Sequence, residues 1–130
     1  MGHTTPSLEQ WLREAKAAAG ASGVGMYLIH NGVVRETARA KVRQGQTDAM
    51  PVRAMTFSYD RQAVEEAAAK ARQMDGIGCV RVWLNEGRLA VGEDLMVLLV
   101  GGDIRPHVMA AMDWLLHELK TRCVTEKEEN

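Results

Sequence analysis

The stretch LMVLLVGG, residues 95–102, has no polar residue at either parity. A strand with one face in water alternates apolar and polar residues, so a run like this must be covered on both faces. It predicts a central strand. Its strongly apolar part, LMVLLV, is also far too short to cross a bilayer, which takes about 20 residues as a helix. Whatever else the chain builds has to pack around this segment.

The covering elements are readable on either side of it. PSLEQWLREAKAAAG predicts a helix over residues 7–19, with Ser7 as cap, Gln10 three residues on, and Leu8, Trp11, Leu12, Ala15 and Ala19 on one face. VGMYLIH reads as a buried strand that ends at Asn31-Gly32, a strong turn signal. VVRETARAKVR alternates, placing Arg35, Arg39, Lys41 and Arg43 on one face and Val34, Ala38, Ala40 and Val42 on the other. VRAMTFSY reads as a strand. DRQAVEEAAAKARQMDG reads as a helix capped by Asp60, striped by Ala63, Val64, Ala67 and Ala71, and stopped at Gly76. GCVRVWLNEG is a strand with Val80, Val82 and Leu84 on one side, and EGRLAVGED a turn-rich connection. The last helix is expected from Arg105 to Arg122, with Pro106 in its first turn. Helix, strands, helix, strands, helix is an α+β order, and 130 residues make one domain, residues 1–130, able to bury roughly two-thirds of its unfolded surface.

Composition excludes several classes. Net charge is −1, so no global field draws the chain to nucleic acid or to an acidic membrane. Three Trp, two Tyr and one Phe are too few for a base-stacking surface. Cys79 and Cys123 are far apart and form no CxxC pair, which argues against zinc or a disulfide framework and fits a reducing cytoplasm. His30, His107 and His117 do not cluster at ligand spacing, so no metal is expected. No charged stretch followed by an apolar core opens the chain, so no signal peptide is expected.

In the last helix, spacing of 100° per residue places Val108, Met112, Leu115 and Leu119 in one stripe, with Met109 and Leu116 at its edge. Lys120 falls on the border between buried and exposed arcs, with Asp113 and His117 on its side. A lysine there can lay its stem on the core and aim its amine into a cleft. It can equally serve only as a cation complementing the helix C-terminus. Trp114 and Ala110 lie on the opposite arc, where a subunit interface or a lone surface aromatic are both open readings.

NGVVR, then a helix, then GRLAVGEDLMVLLVGGDIR, then LKTR and a final Lys-Glu form an ordered set spanning about residues 25–128. In order and spacing the set resembles the large, catalytic subunit of molybdopterin synthase, the MoaE family. The resemblance implies an α/β-hammerhead-like α+β fold with a mixed or antiparallel sheet and three helices. It implies a homodimer in which each protomer binds a small ubiquitin-like sulfur-carrier subunit, giving a heterotetramer. The carrier's Gly-Gly tail, activated as a thiocarboxylate, would deliver sulfur to cyclic pyranopterin monophosphate, and the large subunit needs no cofactor.

Carried over residue by residue, the resemblance makes Arg35 and Val34, in Gly32-Val33-Val34-Arg35, substrate contacts. It makes Lys120, in LKTR, and Lys127, followed by Glu128 and Glu129, the two site lysines, with Glu128 a further substrate contact and residues 120–130 an active-site tail. Arg105 keeps the arginine of a His-Arg pair whose histidine is here Ile104. A second His-Arg pair is replaced by Leu84-Asn85, and a Pro-aromatic-Trp stretch by CVTE. The implied chemistry brings together a phosphate and an acidic tail, which calls for cations. Guanidinium suits phosphate, so Arg35 and Arg105 would hold it. Lys120 would polarise the thiocarboxylate or shuttle protons, and Lys127 would stabilise charge from the other side. The departures at Ile104 and in the tail favour a second reading, a non-catalytic relative that binds a pterin, another anion or the carrier. Arg39, Lys41 and Arg43 read first as a solvated face, and Cys123 as small apolar filler.

Overall fold

The computed structural model describes residues 2–36 and 51–130. Arg39, Lys41 and Arg43, with the basic strand expected to carry them, lie outside the described residues. The order is helix α1 (Leu8–Ala17), a short 3-10 turn (Ala21–Gly23), strands β1 (Met26–Val33) and β2 (Ala54–Tyr59), helix α2 (Arg61–Arg72), strands β3 (Ile77–Leu84), β4 (Gly87–Ala90) and β5 (Asp94–Gly102), helix α3 (Arg105–Glu118), a π turn (Leu119–Cys123) and strand β6 (Val124–Glu129). The architecture is α+β with three helices and antiparallel sheets. No helix among the described residues is long and apolar enough to cross a membrane.

The apolar run is the central strand. β5 pairs with β1 on one edge and β3 on the other, and every residue from Leu95 to Gly102 is buried. Its two parities enter different cores. Val97 and Leu99 meet Trp11 and Ala15 of α1, and Arg81 stacks on Trp11 with its guanidinium carbon 4.7 Å from the ring centre. Met96, Leu98 and Val100 face α2 and α3, meeting Ala67, Ala71, Val108 and Leu115. The N-termini of α1 and α2 follow their caps: Ser7 Oγ accepts from the Gln10 amide at 3.2 Å and Asp60 Oδ1 from the Ala63 amide at 3.2 Å. Gln10 completes no reciprocal box, because its side chain donates to Glu14 instead.

A second sheet, ordered β4-β2-β6, stands beside the first. Two of its strands depart from the sequence expectation. β4 forms within the segment read as a turn-rich connection, pairing Ala90 with Ala54 and Gly87 with Phe57. The last residues form β6, pairing Tyr59 with Val124 through Ala54 with Glu129. Neither strand is apolar enough to be recognised locally; both exist because β2 offers two open edges whose backbone groups need partners.

Asn31-Gly32 is a further correction: β1 runs through it to Val33. Gly32 has negative φ, so the primed turn that favours Asn-Gly does not form. The Asn31 amide instead donates to Asp94 Oδ1 and to the Met96 carbonyl, holding the strand against β5, and the pairing slips at Gly32/Val33. Asn85 is buried and hydrogen-bonded through both ends of its amide. Its Nδ2 donates to the Asp94 carbonyl, and its Oδ1 accepts from the Glu86 and His3 amides, fixing the N-terminal segment.

Candidate functional site

The two sheets and the end of α3 meet around an open cavity of about 220 Å³ lined by His30, Gly32, Val33, Arg35, Met55, Leu95, Met96, Lys120, Glu126 and Glu128. Each wall has a local cause. His30 and Gly32 are two apart on β1 and so face the same way, opposite Leu98 and Met96 of β5. Glu126 and Glu128 are two apart on β6, opposite Phe57 and Met55 of β2. Lys120 enters from the π turn, half-buried, next to the fully buried Leu119. Arg35 follows β1 by two residues, and the strand slip at Gly32/Val33 brings this segment round.

The structure therefore brings together Arg35, Lys120 and Glu128 of the residues expected from sequence, and separates three others. Val34 does not line the cavity: its side chain is 1% exposed, packed in the main core, while its amide donates to the Glu93 carbonyl and its carbonyl accepts from the Gly92 amide. Lys127 lies on the exposed face of β6 opposite Thr56, since strand alternation sends it away from the face that Glu126 and Glu128 share. Arg105 is exposed at the first residue of α3. Fifteen residues of helical rise, roughly 22 Å, separate it from Lys120. Cys123 belongs to a different place, buried beside Ala63, Lys70 and Glu118 with its thiol pushed above the ordinary range, first by burial. Trp114 is half-buried against the main core, and Ala110 next to it in helical order is exposed.

Two lining residues were not singled out from sequence. Glu126 becomes visible once β6 is known to be a strand. His30 was legible by parity, two residues before Gly32, without any spacing to another histidine. Its imidazole is half-buried and its pKa is lowered, first by burial and then by the nearby Lys120 ammonium. With His30 neutral, two cations and two carboxylates line the cavity, and its formal charge balances. Each of these four charged side chains already has a partner within the protein. The cavity is thus a mixed-charge cleft and not the uniformly positive one expected for two anions. At about 220 Å³ it is smaller than the roughly 300–1,000 Å³ of sites that engulf a whole drug-sized ligand, so it suits the reacting end of one.

Fold and cleft together define an α+β protein with an ion-pairing cavity between two antiparallel sheets and the end of a helix. The chain belongs to the MoaE protein family, whose sequence model matches residues 4–122. Solved structures with the same fold include a MoaE molybdopterin-biosynthesis protein from Burkholderia ambifaria, 21% identical, covering 98% of this chain and 79% of that one with a TM-score of 0.72. A molybdopterin synthase from Staphylococcus aureus is 15% identical over 95% of this chain and 85% of that one, TM-score 0.71. A complex of subunits 1 and 2 of the molybdopterin-converting factor from Helicobacter pylori contains a chain 13% identical, covering 95% of this chain and 78% of that one, TM-score 0.65. No curated protein matches the sequence.

Proposed function

We propose that this chain is the large subunit of a molybdopterin synthase, moving sulfur from the thiocarboxylated Gly-Gly end of a small ubiquitin-like carrier to cyclic pyranopterin monophosphate in the cytoplasm. The observation that carries this reading is the convergence of Arg35 and Lys120, 85 positions apart in sequence, on one cavity. Membership of the MoaE family supports it, as does the two-subunit complex solved for the similar Helicobacter pylori protein.

In this reading Arg35 takes the substrate phosphate, because its planar fork matches phosphate oxygens. Lys120 sits where the carrier's terminal carbonyl and the attacked carbon meet, and its ammonium stabilises the charge that develops on oxygen and sulfur. Glu128 accepts from N–H donors on the substrate ring and offsets the two cations. Lys127, on the outer face of β6, acts on the carrier rather than on the substrate. Arg105 is too far along α3 to serve Lys120 of its own chain, so it joins a site only from a second copy, which ties its role to the homodimer.

Reconstitution tests the reading. Purified protein, thiocarboxylated carrier and cyclic pyranopterin monophosphate should give dithiolene product, and Lys120→Ala should lower turnover by about a hundredfold or more while the fold and carrier binding persist. Full sulfur transfer by a folded Lys120→Ala variant would falsify the role of Lys120. A second reading rests on the balanced charge of the cavity: a module that binds pterin or carrier without turnover. Tight carrier binding with no product from the native chain is its signature.

A further inference from the structure

His30 and Glu126 are the titratable cavity groups that the proposed roles leave unused, and His30 is the one nitrogen base among the lining residues that is not a permanent cation. It stands on β1 with its ring toward Gly32, where an added Cβ would lie 3.5 Å from Nε2 and 3.2 Å from Met96 Cγ. Gly32 thus lies in contact range of Nε2, and a Cβ there would touch the ring and press on Met96. Facing the imidazole across the cavity are Lys120 from the π turn, Arg35 from the segment after β1, and Glu126 and Glu128 from β6. Burial, reinforced by the Lys120 ammonium, keeps the ring uncharged near neutral pH. In the Nδ1–H tautomer, Nε2 then presents a lone pair.

We propose that His30 is a proton-transfer residue of this cavity, accepting at Nε2 the proton of the water that replaces sulfur on the carrier's terminal carbonyl. The proposal rests on the sulfur-transfer reading. A carrier that gives up its sulfur must regain oxygen, and water is the co-reactant. With the sulfur bonded to the acceptor carbon, an O–H bond of water breaks, its proton moves to Nε2, and the oxygen forms a C–O bond to the carrier's carbonyl carbon. The C–S bond then breaks with its electron pair on sulfur. The carrier leaves as a carboxylic acid that ionises in solvent, the acceptor keeps a thiolate, and the imidazolium returns its proton to water. Lys120 holds the imidazolium acidic, so that return is fast, and it stabilises the departing thiolate.

The test compares native protein, His30→Gln and His30→Asn in the same reconstitution across pH, with ring-proton NMR of the native chain and of Lys120→Met. The base form is required, so native kcat should fall as pH drops through the His30 midpoint, which should lie below the ordinary histidine range and rise in Lys120→Met. Both His30 variants, folded and carrier-binding, should lose about a hundredfold in kcat with KM little changed, and lose the acidic limb. Folded variants that keep native kcat and the acidic limb overturn the role. So does a His30 midpoint that is ordinary and indifferent to Lys120→Met. No product from the native chain overturns the sulfur-transfer reading and this role with it, an outcome distinct from failure of His30 alone, in which native and variant chains both turn over.

Discussion

The two sheets carry opposite designs. In the sheet ordered β1-β5-β3, the central strand is apolar at both parities from Leu95 onward, each parity has its own helical cover, and the sheet's charged residues, Asp94 at the start of β5 and Arg81 in β3, lie outside the cavity. In the sheet ordered β4-β2-β6, the central strand alternates, Met55 and Phe57 buried with Thr56 and Ser58 exposed, and its flanking strands bring charge: Arg88, Glu126, Lys127, Glu128 and Glu129. The first sheet supplies stability from a continuous hydrophobic contact. The second uses alternation to sort charges, sending two carboxylates into the cavity and one lysine out. The cavity lies where the two designs touch: β1 and β5 give it Val33, Leu95 and Met96 beside His30, and β6 gives it two carboxylates.

Substitutions should separate the designs. The largest effect is expected from Leu98→Ala in β5, fully buried against the main core, which should lower unfolding stability by about 2–5 kcal/mol in denaturant titration and leave the cavity's ligand affinity nearly intact once folded. Next comes the contrast within β6 and the π turn: Lys120→Ala should reduce turnover about a hundredfold or more, whereas Lys127→Ala should change it by no more than about threefold, read in the same sulfur-transfer assay. An equal loss in both would mean that the alternation of β6 does not sort its charges as described. Gly101→Ala should cost about 1–3 kcal/mol, because its Cβ would lie 2.7 Å from Tyr27 Cδ1 and 2.9 Å from Cys79 Sγ, inside the packed sheet. The smallest change belongs to Arg88→Ala, which removes an exposed ion pair with Glu129 at 3.0 Å and should shift stability by less than about 1 kcal/mol, further reduced in high salt.

The same contrast explains what was legible in the sequence. β5 and the three helices announce themselves, because an apolar run, a 3.6-residue stripe and a capping residue are local signals. Val108, Met112, Leu115 and Leu119 are all buried as their spacing requires, with Met109 exposed and Leu116 half-buried at the edge. β4 and β6 are not legible, since what makes GRLA and VTEKEE strands is the pair of open edges of β2, far away in the chain. Asn31-Gly32 carries a strong local signal that the Asn31 contacts to Asp94 and Met96 override. The site divides in the same way. Arg35 and Lys120 could be placed by motif and by helix phase, but the faces of Lys127, Glu126 and Glu128 depend on a strand that only the fold defines. Val34 and Arg105 were placed by motif adjacency, which conveys nothing about burial or about the length of α3.

The π turn at Leu119–Cys123 has a consequence for chain length. Such a turn holds one residue more than the α-helical turn it replaces. Deleting one residue from it would restore α-helical phase and rotate every later residue of the turn by about 100° around the axis, Lys120 included when Leu119 is the residue removed. It would also slip everything after it by one position along β2, and a one-residue slip exchanges the faces of a strand. Glu126 and Glu128 would turn to solvent, and Lys127 and Glu129 would turn inward. The charge presented by β6 is thus set by a residue count upstream, and a single-codon insertion or deletion there would replace a pair of carboxylates with a lysine and a carboxylate without altering any of the residues concerned.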